Sequence, residues 1–279
     1  MTGLITIEGL SRRYGATVAL RGVDMAIRAG EVHAVLGENG AGKSTLVKLL
    51  SGVVAPNDGA MRLSGDAYRP TSIEDARRAG VSTAFQELSL IPDLSVAENM
   101  LLPNVSRRGF WPEGRASIRD RARALLAEWE VNDIPVEAIV SDLSLAQRQR
   151  IEIARALSHA SRLLILDEPT AALPDTSWLF RQIQRVTATG VAVLYISHRL
   201  SEVREICQSA TVLRNGGSMG TVELTGINDS GIFSMMVGHS PGESQHAPPP
   251  LAADAAVLLA ARDLSVGLVQ GLDLELRAG

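Results

Sequence analysis

The chain has 279 residues, 46% of them apolar and 21% charged, the balance of one large or two ordinary globular domains and not of a disordered segment. Lys and Arg total 27 and Asp and Glu 31, a formal charge of −4 that disfavours non-specific binding to nucleic acid or anionic lipid, and 4% aromatics leave little for base-stacking platforms. A single cysteine, Cys207, excludes an intrachain disulfide framework and a Cys-rich zinc site, and suits a reducing compartment.

No apolar run nears the roughly 18 residues of a spanning helix. The start, MTGLITIEGLSRRY, lacks the basic-then-apolar order of a secretory signal, so a cytosolic protein is expected. Leu4 to Leu10 alternates as a strand does, and Val18 to Ile27 follows it. Val32 to Leu36 reads as a buried strand entering a glycine turn, and Thr45 to Leu50 as a helix closed by Ser51-Gly52. Val81 to Phe85 is a further strand. Arg115 to Trp129 carries a helical stripe of Ile118, Ala122, Leu125, Leu126 and Trp129, and Leu145 to Leu157 another of Ile151, Ile153, Ala154 and Leu157. Leu163 to Leu166 and Val191 to Ile196 read as buried strands with a helix, Thr176 to Thr187, between them. Ala210 to Arg214 and Met219 to Glu223 flank Asn215-Gly216-Gly217, a hairpin signal. Strands alternating with helices predict an α/β domain with a largely parallel sheet, interrupted from about Leu88 to Ala160 by an inserted helical subdomain.

Composition changes after Gly238: Ser240 to Pro250, SPGESQHAPPP, reads as a linker, taken to run over 240–256. Beyond it the end of the chain, GLDLELRAG, parallels Gly22 to Gly30, GVDMAIRAG, and Leu264-Ser265 parallels Leu10-Ser11. The second copy is five residues shorter between these anchors, with 14 steps from Ser265 to Gly279 against 19 from Ser11 to Gly30. The layout predicts one complete module over 1–239 and the truncated opening of a second over 257–279.

Two motifs carry chemistry on their own residues. Gly37, Glu38, Asn39, Gly40, Ala41, Gly42, Lys43, Ser44 and Thr45 match the phosphate-binding loop, between a predicted strand and a predicted helix as that motif requires. Its glycines let backbone N–H groups face phosphate oxygens, Lys43 brings positive charge to the β- and γ-phosphates, Ser44 offers a hydroxyl to Mg²⁺, and Thr45 reaches the α-phosphate. Asp167 and Glu168 follow the apolar run LLIL, where α/β sheets bind ligands. There Asp167 would hold Mg²⁺ through water and Glu168 would act as general base toward the attacking water.

This ordered set resembles the nucleotide-binding domain of an ABC transporter ATPase, from Leu4 to about Gly238. The resemblance implies a P-loop NTPase (RecA-like) α/β core with an antiparallel β subdomain and the inserted helical subdomain. It implies ATP and Mg²⁺ as ligands. It assigns Gln86 in AFQEL to the Q-loop glutamine at the metal and water, His198 in YISHRL to the switch histidine at the γ-phosphate, and Tyr14 to the adenine-stacking aromatic. DLSLAQ sits where the family signature LSGGQ belongs, so Ser144, Leu145, Ala146 and Gln147 would contact the nucleotide of an opposite module. Leu145 and Ala146 replace the two glycines, and Ala171-Ala172-Leu173-Pro174 stands for the family's SALD, with Pro174 lacking both carboxylate and backbone donor.

LSxAQ, LLILDEPTAAL, FQELSLIPDLSVAEN and the MVG at Met236 to Gly238 are similar to the subgroup that energises bacterial uptake of monosaccharides such as ribose, xylose or galactose, whose ATPase subunit is typically a tandem of two modules. That similarity implies an ATP-hydrolysing motor on the inner face of the cell membrane. Its partners would be permease subunits, a second ABC module in cis or by dimerisation and, indirectly, a sugar-binding protein; no nucleic acid is expected. Two alternatives stay open, a soluble non-transport ABC ATPase and a catalytically impaired ATP-binding fragment. The helical subdomain near Gln86 to Asn99 is the expected dock for the permease, where charge reversal at Glu87 and Glu98 is expected to uncouple transport and spare ATP binding. Asn104-Val105-Ser106 matches a glycosylation acceptor and is incidental in a cytosolic protein.

Overall fold

The computed structural model describes residues 3–102, 107–108, 111–112, 115–238, 256–266 and 269–277. The acceptor match at Asn104 and nearly all of the expected linker lie outside the described residues. Two compact units divide at Gly238 and His239.

The first unit opens with a hairpin of β1 (Ile5–Tyr14) and β2 (Thr17–Ile27), followed by β3 (Val32–Leu36), α1 (Lys43–Leu50), β4 (Asp58–Leu63) and β5 (Asp66–Ala67). Next come α2 (Ile73–Arg78), β6 (Val81–Ala84), α3 (Val96–Leu101), the two-residue pair β7 (Arg107–Arg108) and β8 (Trp111–Pro112), α4 (Arg115–Glu128) and α5 (Leu145–His159). The chain continues through β9 (Leu163–Asp167), α6 (Ser177–Thr187), β10 (Ala192–Ile196), α7 (Leu200–Ile206), β11 (Ser209–Arg214), β12 (Gly217–Glu223) and α8 (Asp229–Val237). A six-stranded sheet runs β12-β11-β3-β10-β9-β6, parallel except for β12, and an antiparallel sheet runs β2-β1-β4-β5.

The parallel strands are buried on both faces, which is why β9 and β10 read as apolar runs and not as alternating ones. Their period of two still sorts the side chains. Leu164, Leu166, Val193, Tyr195, Ala210 and Val212 join one core with α5, α6 and α7, whereas Leu163, Ile165, Ala192, Leu194 and Ile196 join a second core with α1 and the antiparallel sheet. The turn into β12 has Asn215 at φ +50° and Gly216 at φ +81°, the left-handed pair of a tight hairpin. At the amino end of β3, buried Glu31 bonds the buried His33 Nδ1 at 3.0 Å. Burial pushes its carboxyl up, but the bonds from His33, Ser209 and the Arg28 N–H outweigh that and hold it at about 2.

The inserted segment is less helical at its start than the sequence pattern suggests. Leu88 to Leu94 is irregular, and α3 begins only where Ser95 can cap it: the Ser95 hydroxyl accepts from the Glu98 N–H, and Glu98 Oε2 accepts from the Ser95 N–H at 2.9 Å. In α4 the predicted stripe points inward, with Ala122 and Leu126 buried and Trp129 just beyond the helix end.

The described residues of the second unit form one antiparallel hairpin, β13 (Val257–Val266) and β14 (Val269–Arg277). It repeats the bulged part of the first hairpin. Leu264 pairs with Leu272 as Leu10 pairs with Val23, and Ala261 with Leu274 as Ile7 with Met25. In the first copy the Gly9 N–H donates to Asp24 (2.7 Å) and the Gly22 N–H to Ser11 (2.9 Å). In the second the Asp263 N–H donates to Asp273 (2.8 Å) and the Gly271 N–H to Ser265 (3.2 Å). Both pairs of bulge residues hold positive φ, +58° and +60° at Gly9 and Gly22, +52° and +65° at Asp263 and Gly271.

Candidate functional site

The carboxyl ends of four adjacent parallel strands, β6, β9, β10 and β3, open on one cleft of about 820 Å³. Each strand delivers residues there by simple continuation: Gln86 after β6, Asp167 and Glu168 at the end of β9, His198 after β10, and the glycine loop after β3. The lining comprises Asn39, Gly40, Gly42, Lys43, Ser44, Thr45, Gln86, Asp167, Glu168 and His198, all expected, with Thr17, Val18, Ala19 and Ala171, which were not. Thr17 to Ala19 present backbone and small side chains from the start of β2, so no residue type marked them in the sequence.

The loop geometry follows from Gly42, which caps α1 at φ +106° and whose Cβ, if it had one, would lie 2.8 Å from the Ala19 carbonyl. Backbone N–H groups at the start of α1 therefore face the cleft with no side chain between. Lys43 Nζ donates to the carbonyls of Gly37 (2.7 Å) and Glu38 (3.1 Å), which places Gly37 and Glu38 behind the lysine and not in the lining. Ala41 is buried in the core beneath the loop. Burial pushes the Lys43 ammonium down, and the neighbouring Glu168 and Asp167 charges oppose that.

Asp167 is 5% exposed, and burial together with the adjoining Glu168 charge raises its carboxyl to about 6, against the pull of Lys43 and Lys48. Glu168 stands in the left-handed region at φ +51°, its N–H bonded to the Ile196 carbonyl at 2.9 Å. Its Oε2 lies 2.7 Å from His198 Nδ1. That imidazole is 66% exposed, so backbone and hydrogen bonds hold it more than packing does. The segment after Gln86 is tied to α5, with Ser89 donating to Glu152 Oε1 at 2.7 Å and Arg155 bonding both.

Two further expected groups lie outside the lining. Tyr14 is 42% exposed, with the Arg12 guanidinium 4.8 Å from its ring centre. The signature residues form the start of α5, where Ser144 is the N-cap and shares a capping box with Gln147: the Gln147 N–H donates to the hydroxyl (3.3 Å) and the Ser144 N–H and hydroxyl both donate to Gln147 Oε1 (3.0 Å). Leu145 is 54% exposed beside Ala146, an apolar side chain at a charged helix end.

No group of three or more His, Cys, Asp or Glu side chains among the described residues could cage a metal ion by itself. The cleft instead offers one buried carboxylate, Asp167, with the neutral oxygens of Ser44 and Gln86, a sparse all-oxygen set that suits Mg²⁺ shared with a phosphate group.

This fold and cleft define a module of the P-loop NTPase fold. The chain belongs to the ABC transporter family, whose model matches residues 20–171. It is 42% identical over 279 residues to "Ribose import ATP-binding protein RbsA 1" of Rhizobium johnstonii, covering 99% of this chain and 54% of that protein. It is 42% identical over 268 residues to "Ribose import ATP-binding protein RbsA" of Burkholderia mallei, covering 95% of this chain and 53% of that protein. The chain thus spans about half the length of the curated relatives it matches. Among solved structures, a nucleotide-free ATP-binding cassette from an ABC transporter superposes with a TM-score of 0.70 at 22% identity, over 79% of this chain and 91% of that one, a likeness of fold. No helix among the described residues is long and apolar enough to cross a membrane.

Proposed function

We propose that this chain is the ATP-hydrolysing motor of an ABC importer for a monosaccharide, held on the cytoplasmic face of the membrane by its permease subunits. The observation that carries the reading is the convergence in one cleft of the glycine loop with Lys43, the Asp167-Glu168 pair, Gln86 and His198. The monosaccharide part rests on the likeness to the two ribose import proteins. ATP would lie with its phosphates over the loop N–H groups and Lys43, and its base toward Tyr14. Ser44, Gln86 and Asp167 would hold Mg²⁺, which supplies charge neutralisation at the β- and γ-phosphates. Glu168 would accept the proton of the attacking water, and His198, oriented by Glu168, would bond the γ-phosphate. The Ser144 to Gln147 helix start would complete the site of a second module, in cis or in a partner copy, and the same assembly would serve a sugar-binding protein through the permease.

The test of ATP binding uses a fluorescent ATP analogue on the full chain. Lys43→Ala is expected to weaken its affinity by about tenfold to a hundredfold, the loss of charge-assisted bonds to phosphate. A parent chain that binds no nucleotide overturns the reading.

The permease would dock on the segment Gln86 to Asn99, whose Ser95, Ala97 and Glu98 also line one side of a groove of about 240 Å³. Glu98 is committed to the α3 capping box, so reversing its charge would disturb the helix itself. Exposed Glu87 gives the cleaner variant. Glu87→Lys is expected to lower sugar uptake at least threefold in cells while analogue affinity stays within twofold; unchanged uptake removes Glu87 from the dock.

A further inference from the structure

Glu202, on the first turn of α7, is 7% exposed and does not line the cleft. Its Oε2 accepts from the Thr170 hydroxyl at 2.9 Å, from the Tyr195 phenol at 2.8 Å and from the Ser197 hydroxyl at 3.1 Å, and its Oε1 from Arg199 at 3.1 Å. Thr170 stands two residues after Glu168, and Ser197 one before His198. The Ser197 hydroxyl also accepts from the Arg199 N–H at 3.0 Å, which fixes the backbone on both sides of His198. One carboxylate oxygen therefore receives a hydroxyl from each of the two loops whose tips meet in the Glu168–His198 contact at 2.7 Å.

Those tips need holding. Glu168 keeps a left-handed φ of +51°, and His198 is too exposed to be packed into place. A buried carboxylate is costly unless its donors are all present, so Glu202 in turn demands that both loops come to it. Burial and the Glu202 charge push the Tyr195 phenol upward, which keeps it a donor.

We propose that Glu202 is a positioning residue that fastens the loop after β9 to the loop after β10 and thereby sets the spacing of Glu168 and His198. Its kinetic readout rests on the ATP hydrolysis proposed above; its structural readout does not. The experiment takes the full chain and the variants Glu202→Gln, Thr170→Val and Thr170→Ser, measuring kcat and KM for ATP and amide hydrogen exchange by segment. Glu202→Gln and Thr170→Val are expected to lower kcat at least tenfold with KM within threefold, because the phosphate loop is untouched. Thr170→Ser keeps the hydroxyl and is expected within twofold of the parent. A Glu202→Gln chain with kcat within twofold of the parent overturns the proposal. Should the parent chain bind no nucleotide, the functional reading fails; with or without turnover, exchange decides the positioning role by itself. The Glu168 and Arg199 amides, bonded to Ile196 and Ser197, are expected to exchange at least tenfold faster in Glu202→Gln while those of α1 stay unchanged. Exchange unaltered in both loops, or accelerated equally in α1, overturns the positioning role.

Discussion

Glu168→Gln is expected to lower the turnover of ATP at least a hundredfold and leave ATP affinity within threefold of the parent. Glutamine has the size and shape of glutamate, so the strained backbone at φ +51° and the bond from its N–H to Ile196 have no reason to move. The amide can still bond His198 across 2.7 Å. What it lacks is a site to take up the proton of water, and removal of a positioned general base costs roughly 10²- to 10⁴-fold. Single-turnover phosphate release under saturating ATP, beside analogue binding, separates the outcomes. Turnover above a third of the parent's would move the base elsewhere, and a parallel collapse of affinity would make Glu168 a binding residue.

Asp167→Asn is expected to stabilise the chain and abolish its Mg²⁺-dependent turnover. In the folded chain this carboxyl titrates at about 6, above its ordinary 3.8. Between those values the folded state binds more protons than the unfolded one, so stability falls as pH rises through that window and the whole penalty is in place above pH 6. A shift of this size corresponds to about 3 kcal/mol, or roughly 9 °C in Tm for a unit of this length. The variant is therefore expected to melt about 9 °C above the parent at pH 7.5 and nearly level with it near pH 4. Equal melting at pH 7.5, or the same gain at pH 4, would mean that Asp167 is not held charged at a cost. The expected gain would instead mark the buried charge as a cost to the fold, in line with the general trade of stability against function.

Much of this site is legible in the sequence because its determinants are local. The glycine loop is set by backbone freedom at Gly40 and Gly42, and Asp167 and Glu168 are marked by the apolar run of β9 immediately before them. The parallel strands are legible from their length and apolarity, as any strand buried on both faces is. Glu202 was not, since its role exists only once β9 and β10 bring Thr170 and Ser197 to α7, and four residues past His198 it reads as an ordinary helix glutamate. The capping boxes are a different case. Ser95-Val96-Ala97-Glu98 and Ser144-Leu145-Ala146-Gln147 both carry the S-x-x-E/Q pattern ahead of an apolar stretch. That signal was available, and the structure has the serine and glutamine at the start of α5 bonding each other.

The twofold occurrence of the bulged hairpin has a consequence for how the chain finds its structure. A polypeptide carrying the same strand pair twice risks exchange, with β1 annealing to β14 and β13 to β2, the misassembly to which repeat proteins are prone. Each bulge here is locked by its own side chains across 10 to 15 residues or fewer: Gly9 to Asp24 and Ser11 to Gly22 in one copy, Asp263 to Asp273 and Ser265 to Gly271 in the other. Contacts of that range close on the microsecond scale of an isolated hairpin, far faster than a ribosome exposes the 230 or so residues separating the copies. The first hairpin is thus shut before its competitor has been synthesised, and the order of translation protects a register that the sequence similarity alone would leave ambiguous.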